Sequence, residues 1–133
     1  IKTGSILPEE TLNAILRTGS NHNRTELRLI YNFMSVQTKE EYEELKVDIL
    51  LIPCGGHYTI NSIEAKEIIE TVNAGLTILM HYRNGNQGYD VLEDIHDIMQ
   101  NTIPSIKQIA SSTLDINQHL LDSHSIITLL PKQ

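Results

Sequence analysis

A chain of 133 residues, 40% of them hydrophobic, is sized for one domain spanning 1–133 that buries roughly two thirds of the surface its unfolded form would expose. The formal charge of −7, with no Lys/Arg cluster longer than two residues, argues against a nucleic-acid partner. The lone cysteine excludes an internal disulfide framework. No apolar run approaches the roughly 18 residues that cross a bilayer, so no membrane role is expected.

The start of the chain shows no basic segment leading into an apolar one, and a cytoplasmic location is the expectation. Ile1 rather than Met comes first, which suits either a processed start or a piece of a longer polypeptide.

Pro8, Glu9 and Glu10 followed by Leu12, Ile15 and Leu16, with Gly19 as a stop, predict a short helix over about 8–17. A polar turn leads to 26–35, where Leu27, Leu29, Tyr31 and Phe33 alternate with polar residues as in a half-buried strand. The charged stretch 39–46 reads as a surface helix. The run 47–53 is apolar along its length, which marks a strand buried on both faces.

Asn61, Glu64 and the stripe Ala65, Ile68, Ile69 and Val72 predict a helix over 62–73 with a capping box, ended by Asn73-Ala-Gly75. A second apolar strand, 76–81, follows, so 47–81 predicts a right-handed βαβ unit with parallel strands. Residues 82–88 form a turn-rich loop. A helix is expected at about 89–101, with Val91, Leu92, Ile95, Ile98 and Met99 inward. Two or three closing strands are expected within 106–111 and 125–130.

Both apolar strands run into a histidine, His57 after Cys54-Gly55-Gly56 and His81 before Tyr82-Arg83. Parallel strands present their carboxyl ends together, and that edge is where α/β proteins build sites. The two histidines could therefore meet on one metal or substrate, while Tyr82 and Arg83 are suited to orienting an anionic one. Plainer readings stand beside these. A strand-end histidine bonds a backbone carbonyl, Gly55 and Gly56 simply permit a tight turn, and a loop arginine has no specific task. Cys54, between Pro53 and Gly55 with no basic neighbour, reads as a buried filler. Glu93-x-x-His96 has a di-iron spacing but lacks the second motif that such a site needs. His22, His119 and His124 fall in polar turns and read as solvated.

Leu51-Ile-Pro-Cys-Gly-Gly-His-Tyr-Thr59 followed by Leu79-Met-His-Tyr82 resembles the metallo-β-lactamase fold, in its branch similar to ascorbate-6-phosphate lactonase. The resemblance is best over 47–83, and Ile126–Pro131 resembles a closing strand. It implies an α/β chain that is half of an αββα sandwich, the carboxyl-terminal half, with a mixed sheet and packed helices. It also implies hydrolysis of a small, anionic ester or lactone with a divalent metal, zinc or manganese.

His81 matches that family's last metal-binding histidine, and His57 matches a pocket histidine. The family's His-x-His-x-Asp-His loop is absent from this sequence, and Met34 or Ser35 stands where its bridging aspartate would be. A catalytic zinc takes three protein ligands and one water, so this chain alone is expected to hold metal weakly or not at all. The expected complement is a missing amino-terminal half or, in a non-catalytic or regulatory remnant, a second copy in a homodimer.

Overall fold

The computed structural model describes residues 29–30, 48–57 and 59–131, the first pair as backbone only. The expected helices at 8–17 and 39–46, the rest of the strand at 26–35, and His22 lie outside the described residues. Five described strands form one sheet: β1 (Leu29–Ile30), β2 (Ile49–Pro53), β3 (Leu76–Met80), β4 (Ile106–Gln108) and β5 (Ser125–Thr128). Three helices accompany them: α1 (Ser62–Val72), α2 (Ile95–Asn101) and α3 (Gln118–Leu121). No helix among the described residues is long and apolar enough to cross a membrane.

The sheet order is β1-β2-β3-β5-β4. All four pairings are parallel, with Pro53 opposite Met80 and Ile78 opposite Ile127. The α/β class with packed helices is as expected, but the sheet anticipated as mixed is parallel throughout the described pairs. The connections from β2 through β5 each contain a helix that carries the chain back to the starting edge, so no described strand returns antiparallel.

The crossovers from β2 to β3 and from β3 to β4 run one way across the sheet, and the crossover from β4 to β5 runs back. Parallel crossovers share one hand, so opposite directions cover opposite faces. The core follows that rule. Leu50 and Ile52 pack with Ala65 and Ile69 of α1 and Ile95 and Ile98 of α2. Ile49 and Leu51 pack on the other face with Ile78, Met80, Leu121 of α3 and Ile127. Residues 49–52 are fully buried, and each such side chain contributes about 1.5–3 kcal/mol relative to exposure.

The capping box forms as read: Asn61 Oδ1 accepts from Glu64 N–H at 2.9 Å, and Glu64 Oε1 accepts from Asn61 N–H at 3.0 Å. Asn73, at φ 51°, ends α1 in the left-handed region. The helix expected from 89 starts only at Ile95. Asp94 caps it by accepting from His96 N–H at 2.9 Å, and Leu92 N–H bonds Tyr89 O in a turn at 3.0 Å. Val91, expected inward, is therefore 53% exposed. The segment between the two closing strands contains α3, capped by Asn117.

Candidate functional site

Pro53 has no N–H to donate and ends β2, so the next ladder bond runs from Cys54 N–H to Met80 O at 3.1 Å. The turn that follows crosses the end of β3 so closely that a Cβ on Gly55 would lie 1.9 Å from His81 O. Gly56 at φ 77° and His57 at φ 64° then reverse the chain in the left-handed region. His81 leaves β3 the same way, at φ 54°. Histidine tolerates that region better than most residues, but two such turns at adjacent strand ends are backbone cost concentrated at one edge.

Glu93 ties this edge together. Its N–H donates to Gly55 O at 2.9 Å, and its carbonyl accepts from Arg83 N–H at 2.9 Å. Its carboxylate accepts from Ser62 N–H at 2.8 Å and Ser62 Oγ at 2.9 Å, at the first turn of α1. The loops after β2 and β3 and the start of α1 are thus joined through one residue. The Glu93-x-x-His96 spacing concealed this role; no sequence signal pointed to it.

Cys54 is buried and donates weakly to Met80 O at 3.8 Å. Burial, reinforced by the Glu93 carboxylate, pushes its thiol far up, which makes it a packed, protonated side chain. Burial also holds the His81 imidazole below its ordinary value and so favours its neutral form. The Tyr82 phenol is pushed up by burial against the opposing effect of a hydrogen bond to Thr128.

A cavity of about 390 Å³ opens at the carboxyl ends of β3, β5 and β4, where the crossover direction reverses. His81 and Tyr82 line it, together with the loop residues Asn84 and Gln87 and with Gln108 and Thr128 from the closing strands. Gly55 and Gly56 shape the neighbouring turn without lining the cavity, and His57 sits exposed beyond the end of β2. Arg83 is engaged within its own loop. Its Nε donates to Leu92 O at 3.2 Å, and its guanidinium reaches Gly85 O at 3.0 Å and Asp94 Oδ2 at 3.2 Å. His119 and His124 are exposed, and His124 Nδ1 lies 2.9 Å from Ala74 O.

The edge therefore brings His81 and Tyr82 into the cavity and leaves His57 and Arg83 outside it. Among the described residues no three His, Cys, Asp or Glu side chains are grouped to hold a metal ion. These residues thus do not by themselves fit a catalytic metal, which needs three protein ligands.

The sequence signature of the beta-lactamase superfamily domain matches residues 23–81, ending at His81. The fold is similar to that of a proposed Zn-dependent hydrolase of the metallo-beta-lactamase superfamily from Thermotoga maritima, with a TM-score of 0.57 and 28% identity. That alignment covers 72% of this chain and 48% of the Thermotoga protein, so the chain spans about half the length of the structure it matches. No curated protein matches the chain.

Proposed function

We propose that this chain forms one wall of the active site of a metallo-β-lactamase-superfamily hydrolase that acts on a small ester or lactone. In this reading it corresponds to the carboxyl-terminal half, of the branch similar to ascorbate-6-phosphate lactonase. The observation that carries the reading is the cavity at the carboxyl edge, entered by His81 at the point where the superfamily match ends. His81 is this chain's contribution to a zinc or manganese site, and Tyr82 lines the substrate space. The remaining ligands come from an amino-terminal half or a second copy, and no chemical step is assigned to the residues described here.

The test uses the polypeptide isolated from its source, with metal content and hydrolysis of a lactone panel measured for wild type and His81→Ala. His81→Ala is expected to lower both by at least about tenfold, while His119→Ala on α3 leaves them unchanged. Equal metal content and equal hydrolysis in His81→Ala would overturn the proposal. Sedimentation of the 133-residue chain separates the two sources of the complement, since a stable dimer points to a second copy and a monomer to the other half.

A further inference from the structure

We infer that the cavity at the carboxyl edge receives an uncharged, hydroxyl- or amide-bearing small molecule rather than an anionic one. This rests on the hydrolase reading only for calling that molecule a substrate. The carrying observation is the chemistry of the lining. Asn84, Gln87 and Gln108 contribute three carboxamides, Ser112 and Thr128 contribute hydroxyls, and no Lys, Arg, Asp or Glu is present among the described lining residues.

Of the cations next to this lining in sequence, the two among the described residues are both directed elsewhere. Arg83 spends its donors on Leu92 O, Gly85 O and Asp94. Lys107 neighbours Gln108 in β4, and the pleat sends alternate side chains to opposite faces of a strand. A carboxylate or phosphate in this space would lose hydration without gaining a lysine or arginine partner from the described lining, and the chain's overall charge of −7 adds long-range repulsion.

Carboxamides present both donors and acceptors, so they match the mixed pattern of a polyol, lactone or lactam ring. Among the described residues, the side chains of Asn84, Gln87 and Gln108 have no hydrogen-bond partner of their own, which leaves that capacity for a ligand. Ile109 and Leu129 supply apolar wall, and about 390 Å³ lies at the small end of ligand-site volumes.

The experiment compares D-ribonolactam, uncharged and inert to lactone hydrolysis, with D-ribonate, its open-chain carboxylate counterpart. Binding is followed by NMR titration of the ¹⁵N-labelled chain, in which side-chain NH₂ signals report the three carboxamides directly. Ribonolactam is expected to move the signals of Asn84, Gln87 and Gln108 and to bind at least about tenfold more tightly than ribonate. Gln108→Leu should weaken ribonolactam about fivefold, as for one neutral hydrogen bond, and Gln108→Lys should strengthen ribonate. Ribonate binding as tightly as ribonolactam, failure of both to bind, or shifts that bypass the three carboxamides would each overturn the inference. No hydrolysis is read, so the hydrolase proposal stands or falls separately.

Discussion

Replacing Gly55 with alanine adds one methyl group at the most crowded point of the candidate site. Its Cβ would stand 1.9 Å from His81 O, 3.0 Å from His81 C and 3.1 Å from Tyr82 Cα, all backbone atoms. Ordinary contact begins near 3.4 Å, so the ends of β2 and β3 must separate by about 1.5 Å or the turn must rebuild. Gly55 is not at positive φ, so alanine suffers no conformational penalty there and the effect is steric. Overpacking costs about 1–3 kcal/mol, and a backbone-to-backbone clash of this depth belongs at the upper end, about 3 kcal/mol. In a domain of this size that lowers Tm by roughly 10 °C.

The internal comparison is Gly85→Ala, where φ is 60° and nothing lies within 4 Å of the added Cβ. That change costs only the left-handed conformation, about 1 kcal/mol. Thermal denaturation followed by circular dichroism measures both. A Gly55→Ala protein as stable as Gly85→Ala would refute the claim that the turn is packed against the end of β3.

Two further outcomes follow from the same edge. Glu93→Ala removes the acceptor shared by Ser62 N–H and Oγ and should cost about 1.5–3 kcal/mol in urea denaturation, with Glu93→Gln costing less because one acceptor remains. The Asp94 carboxyl is held below its ordinary value of 3.8 by bonds from Gly85 N–H and His96 N–H and by Arg83. Its stabilising effect is therefore complete above about pH 4 and is lost as pH falls through the lowered value. Asp94→Asn should be less stable than wild type at pH 7 and should lose less stability between pH 5 and 2, as read from Tm against pH.

The elements legible in the sequence are those governed by local rules. Strand β2, helix α1 and strand β3 appeared with nearly their observed bounds, because unbroken apolar runs, a capping box and a stop at Asn73 each act within a few residues. The start of α2 was misread for the complementary reason. Val91 and Leu92 fit a helical stripe, but Arg83 accepts from Ile95 N–H at 2.7 Å and donates to Glu93 O, and this long-range pairing holds 83 beside 94.

The parallel sheet was hidden because strand direction at β4 and β5 depends on where the chain returns, and three- and four-residue strands carry little periodicity. At the site, the strand-end placement of His57 and His81 was readable. Their left-handed backbones were not, since neither is glycine. The engagement of Arg83 by Asp94, eleven residues away, is likewise a product of the folded loop.

The order β3-β5-β4 also hangs one wall of the cavity on a single seam. Among the described strands β4 pairs with β5 alone, so residues 106–108 reach the rest of the sheet only through 125–128. The last described strand lies beside β3 on one side and holds β4 on the other. Gln108 and Thr128 come from these two strands. The pairing of β3 with β5 therefore carries both residues to the cavity, and losing it would remove them from beside His81 together.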